Sequence, residues 1–175
     1  MPRDLLPLVE KVRSSRLLSV SRNKLDHLQI DDAPPTKVSG FYWIYTNYSL
    51  EELKDCTASP LEGAIDIRLM AQLHSGLGNV CDIQDQGYRL VYNGIANTST
   101  GIRERLGQHF NGWKETGSLH IKHTSLGDLS RWRVSYVSTS CNGATPADVE
   151  SDYAHAKHVE RIWRLEHGWP MFCTK

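Results

Sequence analysis

Two polar residues in this sequence have the types and spacing needed to act on a phosphate ester. Arg105 and His109 lie four positions apart in a segment with helical spacing, so they share one side of a helix. An arginine is always charged and can hold phosphate oxygens with two parallel hydrogen bonds. A histidine can transfer a proton or hydrogen-bond the phosphate near neutral pH. The pair is therefore a candidate phosphate-binding site.

A carboxylate on a later helix could add a metal ion to this site. Glu160 is the kind of hard-oxygen ligand that Mg²⁺ or Mn²⁺ accepts, and one carboxylate is acceptable because Mg²⁺ keeps most of its waters. Glu150 and Glu166 are alternatives to Glu160, and Arg103 is the alternative to Arg105. Phosphodiester hydrolysis needs a nucleophilic water, charge stabilisation on the phosphate and help for the leaving oxygen.

Two tyrosines stand beside glycines in segments rich in aromatic and β-branched residues. Tyr42 ends a Gly-Phe-Tyr tripeptide, and Tyr92 begins a Tyr-Asn-Gly tripeptide. A tyrosine has an unperturbed pKa of about 10, so it needs strong activation to act as a base. A metal ion and Arg105 nearby would lower that pKa. Either tyrosine could instead be a core residue of an aromatic strand, and the sequence does not separate their roles.

Other metal-site patterns are weaker. His155 and His158 are three residues apart and have no clear third partner, which argues against a metal site there. The four cysteines are widely spaced, without a close pair, so we expect reduced, unpaired thiols rather than zinc ligands. They are Cys56, Cys81, Cys141 and Cys173.

The spacing of apolar residues predicts the elements that must position these side chains. Aromatic-rich or alternating segments predict strands, and apolar residues three or four positions apart predict helices. The predicted strands are residues 40–46, 88–92 and 131–138, with the Asn-Gly pair at 93–94 closing the second strand. The predicted helices lie within residues 4–18, 49–75, 99–110 and 145–167.

The boundaries of the last two helices can also be predicted. Ser99 or Thr100 could cap the first of them, whose buried stripe is expected to be Ile102, Leu106 and Phe110. The second begins at a Thr-Pro-Ala-Asp sequence, residues 145–148, which suits a capped helix start. Gly168 can supply its left-handed exit. We expect three of the tryptophans, Trp113, Trp132 and Trp163, in the core rather than stacked on nucleobases.

The order of these elements predicts an α+β fold, with a small three-stranded antiparallel sheet flanked by helices. Residues 1–36 are interpreted as an N-terminal helical arm that ends at a Pro-Pro pair, and residues 37–175 as one domain. An insert separates the first two strands. A chain of 175 residues is long enough for a hydrophobic core without disulfides.

Composition narrows the choice of compartment and partner. No apolar run approaches a membrane span, and the first four residues do not begin a signal peptide, so we expect a cytoplasmic protein that does not enter a membrane. The formal net charge is zero, but residues 11–24 carry five bases and no acid, and residues 101–133 have a net charge of +3. Residues 46–88 have a net charge of −5. A neutral net charge does not itself indicate a DNA-binding protein; the two basic segments could contact DNA or could be ordinary solvated surface.

Taken together, these residues resemble the motifs of the GIY-YIG nuclease family. Residues 40–42 resemble its GIY element, residues 92–94 its YIG element, and Arg105 with His109 its following Arg-x-x-x-His/Tyr pair. Glu160 resembles the metal-binding glutamate, and Pro170 lies ten residues later, where the family often has a proline. The resemblance covers residues 40–175, apart from an insert at residues 43–87.

The resemblance implies a DNA endonuclease that leaves 5′-phosphate and 3′-hydroxyl ends. It implies Tyr42, Tyr92, Arg105, His109 and Glu160 as site residues, with Tyr42 favoured as the base and Glu160 holding Mg²⁺ or Mn²⁺. Many members have lysine after YIG, where this chain has Ile95, and an asparagine near the end, where this chain has Cys173. Whether Cys173 supports full activity is a question for the structure.

Within this family we expect a type II restriction endonuclease acting on double-stranded DNA, because no additional DNA-binding or catalytic module is evident. The arm and the insert at residues 43–87 would then supply sequence readout and the contacts of a homodimer. The alternatives are a phage or repair nuclease of the same family, and a catalytically degenerate domain that only binds nucleic acid.

Overall fold

A six-stranded antiparallel sheet lies at the centre of the fold, and helices cover both of its faces. The computed structural model describes residues 2–113, 116–139 and 146–174, and the side chains of 6–113, 116–139 and 156–174. The elements are α1 (Pro2–Ser15), β1 (Leu18–Arg22), β2 (Leu28–Ile30), β3 (Gly40–Thr46), α2 (Leu50–Asp55), α3 (Ile67–His74), β4 (Gln84–Asp85), β5 (Tyr88–Ala96), α4 (Ile102–Asn111), β6 (Trp132–Ser138) and α5 (Pro146–His167). Two short 3-10 helices, Ile121–His123 and Leu129–Arg131, precede β6.

The strand order is β2-β1-β6-β3-β5-β4, and each neighbouring pair is antiparallel. The α+β class is therefore confirmed, and the three predicted strands are the adjacent β6, β3 and β5. The prediction of only three strands is wrong. β2 and β4 have three and two residues, too few for a period to show, and Leu17 and Leu18 extend the helical spacing of α1 into β1.

The central strand β3 is buried along its whole length because helices pack on both sides of it. Tyr42 and Ile44 belong to the core shared with α4, whereas Phe41, Trp43 and Tyr45 belong to the core shared with α1 and α5. This alternation is the two-residue period of a strand, with aromatic side chains filling both layers. Tyr42 is thus directed to the α4 side of the sheet.

Several predicted boundaries differ from the structure. Residues 49–75 form two short helices separated by a loop, not one helical region. β5 does not close at Asn93 and Gly94 but continues to Ala96, because both residues pair with β3 and the ladder overrides their preference for a turn.

The buried stripe of α4 is confirmed, since Ile102, Leu106 and Phe110 are fully buried. The predicted cap of α4 is wrong: its N-cap is Gly101, and no side chain caps the helix. Ser99 and Thr100 instead donate to the side chain of Asn97, which forms the preceding turn.

Helix α5 ends as predicted at His167, and Gly168 follows with a positive φ of 87°. The expected cap at Thr145 and the thiol of Cys141 lie outside the described residues, whereas Cys56, Cys81 and Cys173 are buried and free. No helix in the described part of the chain is long and apolar enough to cross a membrane.

Candidate active site

The register of β3 and β5 brings the two tripeptides together. Tyr42 pairs with Gly94 and Ile44 pairs with Tyr92 across the two strands. The rings of Tyr42 and Tyr92 are stacked, with centroids 6.2 Å apart and an interplanar angle of 24°. Two tyrosines separated by 50 positions in the sequence therefore lie side by side at the same end of the sheet.

Glycine is required in both tripeptides for steric reasons. A Cβ on Gly94 would lie 2.5 Å from the hydroxyl oxygen of Tyr42, so the tyrosine ring can pack over the strand only where there is no side chain. Gly40 has a φ of 150°, and a Cβ there would lie 2.0 Å from the carbonyl oxygen of Val137. The Gly40 clash is with the backbone of β6 and cannot be relieved without moving that strand, whereas the Gly94 clash would displace the buried ring of Tyr42.

Helix α4 directs His109 beneath Tyr42 rather than into solvent. His109 is fully buried, and its Nε2 lies 3.1 Å from the Tyr42 hydroxyl. Its Nδ1 accepts a hydrogen bond of 3.2 Å from the backbone N–H of Leu119. An accepting Nδ1 carries no proton, so the proton of the neutral ring is on Nε2. His109 therefore donates to the oxygen of Tyr42.

The charge state of His109 follows from its burial. Burial holds the pKa of His109 well below its usual range, and the positive charge of Arg105 lowers it further. A neutral ring that donates through Nε2 and accepts through Nδ1 cannot also receive the proton of Tyr42. The arrangement suits a residue that holds Tyr42 in place and leaves the hydroxyl proton of Tyr42 to other acceptors.

Arg105 lies close enough to both tyrosine hydroxyls for its charge to act on them, and its side chain donates a hydrogen bond to Gln108. Burial raises the pKa of Tyr42 above its ordinary value, and the charge of Arg105 offsets this only in part. Burial, followed by the proximity of Tyr42, raises the pKa of Tyr92 well above its ordinary value. Both tyrosines are therefore neutral phenols in the protein without substrate.

Glu160 is joined to the end of β5 through Arg164. One oxygen of Glu160 accepts a 3.0 Å hydrogen bond from Nη2 of Arg164, one turn further along α5. Nε of Arg164 donates to the side-chain oxygen of Asn93 at 2.9 Å. Burial raises the pKa of Glu160, and the charges of Arg164, Lys157 and Arg161 oppose that rise.

These side chains line a cleft of about 420 Å³ between β5, α4 and α5. Tyr42, Tyr92, Arg105 and Glu160 are among the lining residues, while His109 lies behind Tyr42 and is not one of them. Of the alternatives, Arg103 faces a different groove, and Glu166 is exposed on another part of α5. The side chains of Glu150 and His155 lie outside the described residues.

The charge of the cleft suits a phosphate. Among the described residues that line it, the basic ones are Arg105, Lys157 and Arg164, and the acidic one is Glu160. Lys157, Arg164 and Asn93 are not in the sequence-predicted set. The spacing of Lys157, Glu160 and Arg164 at i, i+3 and i+7 places them on one face of a helix, which was the signal available for the two bases. Nothing in the sequence links Asn93 to that face.

The carboxylate fits a magnesium-type ion only with water completing its shell. Among the described residues, no three His, Cys, Asp or Glu side chains are grouped as metal ligands. Glu160 uses one carboxylate oxygen for Arg164, which leaves the other for a metal. Mg²⁺ is commonly held by one or two carboxylates plus substrate phosphates, so this donor set is adequate.

Cys173 lies at the edge of the cleft, in close contact with β5. Its thiol is 3.3 Å from the side-chain oxygen of Asn93 and 3.4 Å from the Asn93 carbonyl oxygen. Burial raises the pKa of Cys173 to about 12, so the thiol is neutral. In this position Cys173 is a weak hydrogen-bonding partner that helps to fix Asn93, rather than a charged ligand.

Comparisons of the chain with protein-family models, with curated proteins and with solved structures gave no match. The resemblance to the GIY-YIG family therefore depends on the residues and on the geometry described above.

Proposed function

We propose that this protein is a metal-dependent DNA endonuclease of the GIY-YIG type. The observation that carries the proposal is the convergence of Tyr42, Tyr92, Arg105 and Glu160 on one basic cleft, from two strands and two helices. The proposal also accounts for Gly94, since a side chain there would clash with the hydroxyl of Tyr42 in the cleft.

Arg105 is assigned to hold the scissile phosphate. It projects from α4 towards both tyrosine hydroxyls, and its planar guanidinium can bind two phosphate oxygens at once. Lys157 is exposed at the rim of the cleft and adds a second cation that substrate can reach. A phosphate bound here would replace tyrosine hydroxyls as partners of Arg105.

Tyr42 is assigned as the general base, with Tyr92 orienting the water or the phosphate. The oxygen of Tyr42 accepts a hydrogen bond from His109 within the protein, and it also lies close to the positive charge of Arg105 on the cleft side. Both favour a phenolate, which is the form that accepts a proton, and they oppose the effect of burial. For Tyr92, the positive charge of Arg105 is the interaction that favours the phenolate.

Glu160 is assigned as the protein ligand of the metal. A Mg²⁺ or Mn²⁺ ion held there would stabilise charge on the phosphate and assist the departure of the leaving oxygen. Arg164 keeps the Glu160 carboxylate facing the cleft by binding it to Asn93 on β5. The ion pair also keeps the buried carboxylate compensated before a metal binds.

A type II restriction endonuclease acting on double-stranded DNA is our first choice of biological class. The test is incubation of supercoiled plasmid DNA with Mg²⁺ or Mn²⁺, with EDTA and the Tyr42→Phe protein as controls. Discrete bands are the expected result. Nicking or a smear would indicate a less specific nuclease of the same kind, and binding without any cleavage in either metal would overturn the assignment as an enzyme.

A further inference from the structure

A second groove lies on the other side of α4 from the catalytic cleft. It has a volume of about 570 Å³ and runs between α4, the β1–β2 hairpin and the 3-10 helix at Ile121–His123. We call it the α4 groove. Its lining includes Arg22, Asp26, Arg103, Glu104, Trp113 and Lys122.

The two arginines of α4 serve different grooves. Successive helical residues are rotated by about 100°, so Arg103 and Arg105 project about 160° apart. Arg105 lines the catalytic cleft, and Arg103 lines the α4 groove. One helix therefore separates a site suited to the scissile phosphate from a second surface that carries its own arginine.

We propose that the α4 groove binds the sugar-phosphate backbone of the same DNA duplex, beyond the phosphate that is cleaved. This inference rests on the proposed function. An α-helix with its side chains is about 10 Å across, and one strand of B-DNA advances about 3.4 Å per phosphate along its axis. A strand that crosses α4 from Arg105 would reach Arg103 roughly three nucleotides away.

The charges of the groove favour a polyanion. Arg22, Arg103 and Lys122 outnumber its two acids, Asp26 and Glu104. By contrast, the segment that forms α2 and α3, residues 46–88, has a net charge of −5, which disfavours DNA on that part of the surface. Among these surfaces, the α4 groove is the one that can extend the contact made in the cleft.

Asp26 occupies the position between two of the bases. It forms ion pairs with Lys122 and with Arg22, the latter at 3.5 Å. A DNA phosphate that approached Lys122 or Arg22 would also be repelled by the negative charge of Asp26. Replacing Asp26 with asparagine removes that repulsion, and asparagine tolerates the positive φ of 61° at this position.

Apolar side chains at the groove are also accessible. Trp113 is 47% exposed and Leu25 is 74% exposed, so the expectation that Trp113 is a core residue is wrong, whereas Trp132 and Trp163 are buried. An exposed indole beside basic side chains can pack against a deoxyribose, and this contact does not depend on the DNA sequence. Phosphate and sugar contacts of this kind set the register of a protein on DNA.

The test is the salt dependence of DNA binding, measured by fluorescence anisotropy with a labelled 30-base-pair duplex in EDTA. The measured quantity is the slope of the logarithm of the association constant against the logarithm of the salt concentration, which is negative for DNA binding. We expect Arg103→Ala and Lys122→Ala each to reduce the magnitude of that slope by about one. Asp26→Asn should tighten binding. Arg68→Ala, an exposed arginine on α3, is the matched control and should bind like wild type.

Single-turnover cleavage at saturating enzyme separates this inference from the proposed function. Arg103→Ala should cleave bound DNA at a rate close to that of wild type, because it does not touch the scissile phosphate. If wild type binds and cleaves DNA but Arg103→Ala and Lys122→Ala keep its salt slope, the α4 groove is not a DNA contact and the nuclease assignment stands. If wild type neither binds nor cleaves DNA, both proposals fail.

Discussion

The replacement Tyr42→Phe tests the catalytic assignment most directly, because it removes one oxygen and keeps the ring that packs over Gly94. The structure gives the cost to stability. Tyr42 and His109 are almost fully buried, and the missing oxygen would leave Nε2–H of His109 without its acceptor. A buried donor left unpaired costs about 1–3 kcal/mol. For a protein of this size, that corresponds to a fall in melting temperature of roughly 2–12 °C.

The expected loss of activity is much larger than the loss of stability. A positioned general base contributes about 10²–10⁴-fold to a rate. We therefore expect Tyr42→Phe to remain folded at 25 °C and to cleave plasmid DNA at least about a hundredfold more slowly than wild type. Cleavage rate and melting temperature should be measured on the same preparation, with Mg²⁺ at saturation.

Tyr136→Phe is the matched control. Tyr136 is also a buried tyrosine of the sheet, and its hydroxyl donates to the carbonyl of Asp32 at 3.0 Å. Its loss should cost about 1 kcal/mol and leave the cleavage rate unchanged. Near wild-type cleavage by Tyr42→Phe, together with a lower melting temperature, would show that Tyr42 is a structural residue and would refute its role as base.

Substitutions at three further residues test the rest of the site. Glu160→Gln should abolish cleavage without weakening DNA binding, because it removes the carboxylate that is assigned to the metal. Arg105→Ala should lower turnover by orders of magnitude and Arg105→Lys should restore little of it, whereas equal turnover defects in Arg103→Ala and Arg105→Ala would mean that the wrong face of α4 was assigned. Tyr92→Phe should be severely impaired in cleavage, and full activity would remove Tyr92 from the site.

The parts of the fold that could be predicted are those with a strong period. The aromatic run of β3 and the four-residue spacing of Ile102, Leu106 and Phe110 identify a buried strand and an amphipathic helix without tertiary information. The elements that could not be predicted are short, or their sequences are compatible with either a helix or a strand. β4 has two residues, and β1 follows a helix whose leucine spacing continues across the boundary.

Local preference also failed where tertiary pairing was stronger. The Asn93-Gly94 pair is typical of a turn, yet both residues are paired with β3, and Gly94 is needed for the packing of Tyr42. The position of His109 behind Tyr42 depends on Leu119, whose backbone N–H determines the ring tautomer. A sequence gives the four-residue spacing of Arg105 and His109 but not the depth at which each side chain ends.

The geometry of the hairpin explains how the long insert can leave the candidate site undisturbed. β3 and β5 are antiparallel, so the connecting residues leave the sheet beyond Thr46 and return before Tyr88, at the end opposite to Gly40. Tyr42 lies four residues before Thr46, about 13 Å along the strand. A register shift between Ile44 and Tyr45 lies between the two ends. The pairing of Tyr42 with Gly94 is fixed away from the insert by the close contact between the tyrosine ring and Gly94. The entropic cost of closing a longer loop grows only logarithmically with its length. An insertion at this point changes the surface beyond the turn and leaves the arrangement of the tyrosines to the local packing of the sheet.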